Sequence, residues 1–280
     1  MIESKNLSFG YQKKTLFDDL NLSLHGGQIY GLFGKNGAGK TSLLKLISGL
    51  RFPTNGSLEV FGHLPSERNI AFLQETFFIA EEPYIPAIKL ETYVKLYAPF
   101  YPKFDLVHFF QLLNEFDISK TMHFKNASMG QKKKAIIAFA LACNTRLLIM
   151  DEPTNGLDIP SKRQFRKILA HIITDDRIFI ISTHQVRDLH SLIDTVVVLD
   201  EGKIIFNESI GSISDRLSFV IRREPPEDGH IIYYERVPGG YLCLSTEPAP
   251  HALEADIEIL FNAVTTETKA ITNHFNTEYA

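Results

Sequence analysis

Two cysteines, Cys143 and Cys243, are all that 280 residues provide, and tryptophan is absent. Two thiols are too few for a disulfide framework or a cysteine-built metal centre, and a reducing cytoplasm is the simplest setting for them. Long apolar runs are missing as well. The longest, AIIAFALAC from Ala135 to Cys143, falls far short of the roughly 20 residues that cross a bilayer. The start, MIESKNLSFG, has no basic segment leading into an apolar stretch, so neither export nor membrane spanning is expected of the chain. A net charge of -4 gives no overall attraction to nucleic acid or anionic lipid. Repeats and low-complexity segments are also lacking. What remains is an ordinary globular composition, 44% hydrophobic, with enough apolar matter for a large core.

Against this background GLFGKNGAGKTSLL, Gly31 to Leu44, stands out. Gly34, four further residues, then Gly39, Lys40 and Thr41 fit the spacing of a phosphate-binding loop. Glycines let successive backbone N–H groups close around an anion, and the helix that follows points its positive end at the same place. Lys40 would reach the terminal phosphates and the Thr41 hydroxyl a magnesium ion. The flanks suit the motif: GQIYGLF reads as the strand before it and TSLLKLISGL as the helix after it.

The remainder alternates. Short strands, IESKNLSFGY and LFDDLNLSL, precede the loop, and from about Glu81 to Cys143 apolar residues recur at helical steps. Strand signals return in RLLIMDEP and RIFIISTH, with the helix-like SKRQFRKILAHII between them, and DTVVVLDEGKIIFN reads as a hairpin about Glu201 and Gly202. This pattern predicts an α/β protein whose mainly parallel sheet is flanked by helices. Beyond Ser214, RLSFVIRR, HIIYYERV and GYLCLSTE are strand-like and ADIEILFNAVTTE is helix-like, which predicts a small α+β appendage.

LLIMDEP ends a buried strand in two adjacent carboxylates. Asp151 is placed to hold magnesium, and Glu152 to polarise a water for attack on phosphorus.

With these residues in hand, the chain resembles the ATP-binding subunit of an ABC transporter over roughly residues 1–210. GKNGAGKT resembles Walker A, with Gly34, Lys35, Asn36, Gly37, Ala38, Gly39, Lys40, Thr41 and Ser42 cradling the nucleotide, and LLIMDEP resembles Walker B. TNGLD, ending at Asp158, resembles the D-loop, and STH places His184 as the switch histidine. FLQE places Gln74 as the Q-loop glutamine, a ligand to the metal alongside Thr41 and Asp151, and FGY places Tyr11 against adenine. ASMGQ resembles the signature LSGGQ: Ala127 and Met129 depart from it, while Ser128, Gly130 and Gln131 keep the groups suited to a phosphate. Taken singly, His184 also fits a satisfied buried histidine, Gln74 a polar strand end and Tyr11 a packing residue; their joint order decides.

The resemblance implies a P-loop NTPase cassette with a mixed sheet core. Its ATPase domain would span 1–214, with a helical subdomain inserted at about 76–145, and the appendage would be 215–280. It implies ATP and Mg2+ as cofactors, with Glu152, His184 and Gln74 catalytic. Its partners would be a second copy of the chain, bound head to tail, and a separate integral-membrane subunit, with no direct nucleic acid contact. The expected location is cytoplasmic, peripheral on the inner face of the membrane. FYPKFD, from Phe100 to Asp105, is similar to cassettes of ABC-2-type exporters and favours export. Phe77, Phe78, Tyr84 and Ile85 suit either a groove for a partner helix or core packing, and Lys132 to Lys134 read as a solvated helix face. Two other readings compete. A soluble ABC ATPase of ribosomes or DNA repair would carry two fused cassettes or a long coiled coil, whereas Lys40 and Asp151 are only about 110 residues apart without sustained heptads. A regulatory module without turnover would not need Glu152 and His184.

Overall fold

The computed structural model describes residues 1–276 except Lys13, Gln185, Arg187, Asp188, Glu227, Asp228, Pro250 and His251. Strands β1 (Ile2–Tyr11) and β2 (Lys14–Leu24) form a hairpin, β3 (Gln28–Phe33) feeds α1 (Lys40–Ile47), and β4 (Asn55–Val60) returns to pair antiparallel with β1. After α2 (Ile70–Gln74) and β5 (Thr76–Ile79) come three helices, α3 (Leu90–Tyr97), α4 (Leu106–Glu115) and α5 (Met129–Ala142). The chain then alternates through β6 (Leu147–Asp151), α6 (Ile159–Ile172), β7 (Ile178–Ser182), β8 (Thr195–Asp200) and β9 (Lys203–Ser209). It ends with α7 (Ile210–Arg216), β10 (Ser218–Arg222), β11 (Ile231–Val237), β12 (Gly240–Ser245), α8 (Ile257–Thr266) and α9 (Thr268–Asn276).

The central sheet has the order β5-β6-β7-β3-β8-β9. Its first four pairings are parallel and the last, β8 with β9, is antiparallel, which makes the sheet mixed. Strands β6 and β7 are buried at every residue, as continuous apolar runs become when helices cover both faces of a parallel sheet. Because the strands run the same way, the loops leaving β3, β6 and β7 converge at one end. That end holds the site.

Helix α5 explains the three-helix segment. Ala135 to Ala142 are all buried, so the helix is apolar around its whole circumference and must be enclosed by neighbours. Phe139 is the hub: Phe77, Tyr93, Tyr101, Phe104 and Phe109 all set their rings within 6.3 Å of it. Core packing thus accounts for Phe77, whereas Tyr84 is 92% exposed. Within FYPKFD, Asp105 caps α4 by accepting from the N–H groups of Val107 and His108, and Lys103 pairs with Glu75 at 2.8 Å.

The last quarter of the chain forms its own three-stranded sheet, β10-β12-β11. Helix α8 lies against β11 and β12 on one side and against β8 on the other. Ile257, Ile259, Leu260, Ala263 and Val264 are buried there, in one apolar cluster with Val196 and Val198 of β8. Two elements of this region escaped the sequence reading: α7, short and Ser/Gly-rich, and α9, which runs on from α8.

Candidate functional site

Between β3 and α1 the loop turns through two left-handed glycines, Gly37 at φ 83° and Gly39 at φ 110°. At Gly39 a Cβ would lie 2.7 Å from the Phe17 ring, so glycine is required there by both conformation and space. The first turn of α1 contains no acidic residue, which leaves its N-terminal N–H groups electrostatically open to an anion. The Lys40 ammonium folds back to donate to the carbonyl of Gly34 at 2.7 Å. Burial holds its pKa below the ordinary lysine value, against the opposing pull of Glu152, Asp151 and Glu81.

Two carboxylates face this loop from the end of β6. Asp151 is 2% exposed and accepts from the Thr41 hydroxyl at 2.6 Å through Oδ2 and from the Ser182 hydroxyl through Oδ1. A hydroxyl and a carboxylate so close are hard oxygen donors of the kind a magnesium ion shares with phosphates and water. Among the described residues no cluster of three or more His, Cys, Asp or Glu is placed to hold a metal.

Glu152 has a left-handed backbone, φ 48°, a conformation that costs a non-glycine residue on the order of 1 kcal/mol. Its N–H donates to the carbonyl of Ser182 at 3.1 Å. His184, leaving β7, donates from Nδ1 to Oε1 of Glu152 at 2.8 Å. The other oxygen, Oε2, is buried and has no hydrogen-bond partner. Buried carboxylate oxygens are seldom left so, and an acceptor beside the phosphate loop suits an attacking water.

These groups line one cleft of about 570 Å³, together with Tyr11, Lys14, Leu16, Asn36, Gly37, Ser42 and Glu81. The Tyr11 hydroxyl lies 3.2 Å from that of Ser42, its ring edge-on to Phe9 at 5.0 Å. Gly34, Lys35 and Ala38 do not line the cleft. Lys35 turns towards Asp200 at 3.9 Å, and Ala38 donates its N–H to the carbonyl of Lys35 at 3.1 Å, closing the turn.

Gln74 is the correction. It closes α2 ahead of β5, at the end of the strand away from the cleft, and does not line the cleft. The polar residue carried there by β5 is Glu81, two positions beyond Ile79. Taken as four residues, FLQE resembles a strand ending in an amide, but Ile70–Gln74 is helical. The tertiary rule, that a parallel sheet builds its site at the C-terminal ends of its strands, selects the next polar residue after TFFI instead. An apolar strand followed by Glu81-Glu82-Pro83 was the available signal.

Ser128, Gly130, Gln131 and Asp158 also stand outside the cleft lining. Ser128 and Gln131 form a reciprocal cap on α5: Ser128 Oγ accepts the Gln131 N–H, and Gln131 Oε1 accepts the Ser128 N–H. Asp158 caps α6 by accepting from the Ser161 N–H at 2.8 Å. The lysine run divides. Lys133 is not solvated but 3% exposed, because its place on α5 turns it towards the segment following β6.

A family profile described as ABC transporter matches residues 17–155. The chain is 32% identical over 213 residues to the lantibiotic transport ATP-binding protein SrtF of Streptococcus pyogenes, covering 74% of this chain and 90% of that protein. It is 30% identical over 212 residues to the bacitracin transport ATP-binding protein BcrA of Bacillus licheniformis, covering 73% of this chain and 68% of that one. A solved ATP-binding subunit of an ABC transporter superposes with a TM-score of 0.70 at 25% identity, over 77% of this chain and 92% of the other. The chain belongs to the ATP-binding proteins of ABC transporters. It is an ATPase subunit that binds and hydrolyses ATP to power transport of a substrate across a membrane.

Proposed function

We propose that the cleft holds ATP with Mg2+, that Glu152 is the general base, and that two copies joined head to tail drive export through a separate membrane subunit. The observation that carries the base assignment is the Glu152 carboxylate, one oxygen held by His184 and the other buried without a partner. Held in this way, the carboxylate keeps its free lone pairs for a water proton. His184 fixes the carboxylate's orientation, and Lys40 and the open N–H groups of α1 take the phosphates. Thr41 and Asp151 are the residues that would hold the ion, which when bound would offset phosphate charge. Tyr11 offers its ring to the base of the nucleotide. Glu81 takes the place at the cleft first assigned to Gln74.

The head-to-tail dimer is supported by incompleteness. Ser128 and Gly130 occupy the open start of α5 but contribute nothing to the cleft of their own chain, and a two-fold pairing would bring each to the other copy's phosphates. The division into an ATPase domain of 1–214 and an appendage of 215–280 is supported by the separate tail sheet. Among the described residues no helix is long and apolar enough to cross a membrane, which supports a peripheral place on the inner face beside another subunit. The relatives named for lantibiotic and bacitracin transport make compounds of those two kinds the first cargo to test for export.

The test is Glu152→Gln. We expect it to bind ATP, to sediment as a dimer in ATP, and to lose on the order of 10²- to 10⁴-fold in turnover, the usual contribution of a positioned base. Hydrolysis at the wild-type rate would refute the assignment. Tagged Glu152→Gln in ATP should also retain one stoichiometric integral-membrane protein from membranes solubilised in mild detergent; ribosomes or nucleic acid in its place would overturn the transporter arrangement.

A further inference from the structure

Lys133 has no part in the chemistry described so far. Its ammonium is buried and donates to two backbone carbonyls, that of Glu152 at 2.8 Å and that of Asn155 at 3.0 Å. No side-chain carboxylate is among these two acceptors, although Glu81, Glu152, Asp151 and Glu82 all contribute to the field around it. A buried charge satisfied by backbone carbonyls fixes the course of that backbone. One of the two carbonyls belongs to Glu152, in its left-handed conformation. The other lies three residues on, just ahead of the left-handed Gly156.

A second contact on the same helix face points the same way. Gly130, one turn before Lys133, comes so close to the segment after β6 that a Cβ on it would lie 3.1 Å from the carbonyl oxygen of Gly156. Residues three apart on a helix share a face, so Gly130 and Lys133 together seat the first two turns of α5 on residues 152–156. The seat reaches the cleft as well, since Asn155 Nδ2 donates to Glu81 Oε1 at 3.1 Å.

We propose that Lys133 is a positioning residue for hydrolysis: it clamps the backbone of Glu152 and Asn155 to the signature helix, so that the attitude of that helix sets the aim of the general base. This rests on the assignment of Glu152 as base. Its consequence is directional. Ser128 and Gly130 sit at the exposed end of α5 and Lys133 at the buried side of its second turn, so a shift at the signature is delivered to residues 152–155 of the same chain.

The experiment compares Lys133→Met, which keeps the length of the side chain and removes its donors, with Lys133→Gln, which keeps one donor group. For Lys133→Met we expect kcat to fall about 10- to 100-fold, the effect of small misplacement at a reacting centre, with KM for ATP and direct binding of ATP close to wild type. Lys133→Gln should recover part of kcat. Amide exchange in the peptide covering residues 152–157 should quicken in Lys133→Met while β3, β6 and β7 keep their protection. Wild-type kcat in Lys133→Met would overturn the proposal. So would a parallel loss in kcat, ATP binding and protection throughout the chain, which would make Lys133 a packing residue only. Should Lys133→Met fail to fold, Lys133→Gln decides by the same split between kcat and KM. Glu152→Gln is run alongside: if it hydrolyses normally, the base assignment has failed; if it is inactive while Lys133→Met is normal, only the clamp has failed.

Discussion

The Thr41 hydroxyl donates to Oδ2 of Asp151 at 2.6 Å, across 110 positions of sequence. With Ser182 on the other oxygen, a single buried carboxylate ties α1, β6 and β7 together where the ion would sit. Thr41→Val removes one donor while keeping the shape. We expect a loss of about 1–3 kcal/mol in stability, because a buried charged acceptor loses a bond. Turnover should need more Mg2+, whereas Thr41→Ser, which keeps the hydroxyl, should stay near wild type. Magnesium titrations of ATPase rate and thermal melts of the three proteins check both. An unchanged magnesium dependence in Thr41→Val would remove Thr41 from the metal site.

Glu81 and Gln74 stand at opposite ends of β5, and the pair offers a clean comparison. Glu81→Ala should lower kcat by about 10-fold or more, as expected for a polar group lining a reacting centre. Gln74→Ala, a partly exposed change outside the cleft, should remain within about 2-fold of wild type, in keeping with most surface substitutions. Steady-state rates decide. The reverse order of effects would restore the first reading of FLQE.

Met129 is 60% exposed at the first turn of α5, on the surface that a second copy would meet. Met129→Gly should lower the enzyme concentration at half-maximal turnover by about 3- to 10-fold, equivalent to roughly 1 kcal/mol of easier association. Rates measured over a dilution series, at several ATP concentrations, provide the check. A superimposable series would show that Met129 does not tune the pairing.

Cys143 and Cys243 are 1% and 0% exposed, and burial raises the Cys143 thiol well above its ordinary pKa. Since the thiolate is the reactive form, neither should react with a disulfide reagent at about pH 8 in the folded protein, and both should react in denaturant. Thiol counts before and after unfolding test this; prompt native labelling at Cys143 would contradict the packing around Phe139.

The glycine loop between β3 and α1 was legible because its signal is local: spacing, glycines and the strand-helix junction all lie within one stretch. Asp151 and Glu152 were legible for the same reason, ending an unbroken apolar strand. The hairpin at Glu201 and Gly202, the three tail strands and α8 were also readable, since period-2 and helical patterns survive in short segments. Gln74 was misplaced because Q-loop identity depends on which end of β5 faces the site, and no four-residue string carries that information. Lys133 was misread because a lysine run looks solvated until the helix bearing it is seen to lie buried on its far side. Helix α7, one short turn-rich segment, had too few residues to show a period.

The sheet order carries a consequence for how the protein is made. Strands β3, β7 and β6 lie side by side, yet the middle one is synthesised last. A ribosome that has released residues 1–151 has supplied the phosphate loop and the Asp151 carboxylate, but the wedge that joins them, with Ser182 and His184, has not emerged. Chains fold progressively from the N-terminus during synthesis, so two halves of an ATP site would have to wait for a third piece before either could hold its ligand. Tight nucleotide binding is then a certificate of completion: a truncated or stalled chain would be silent to ATP, and only one folded through β7 would answer.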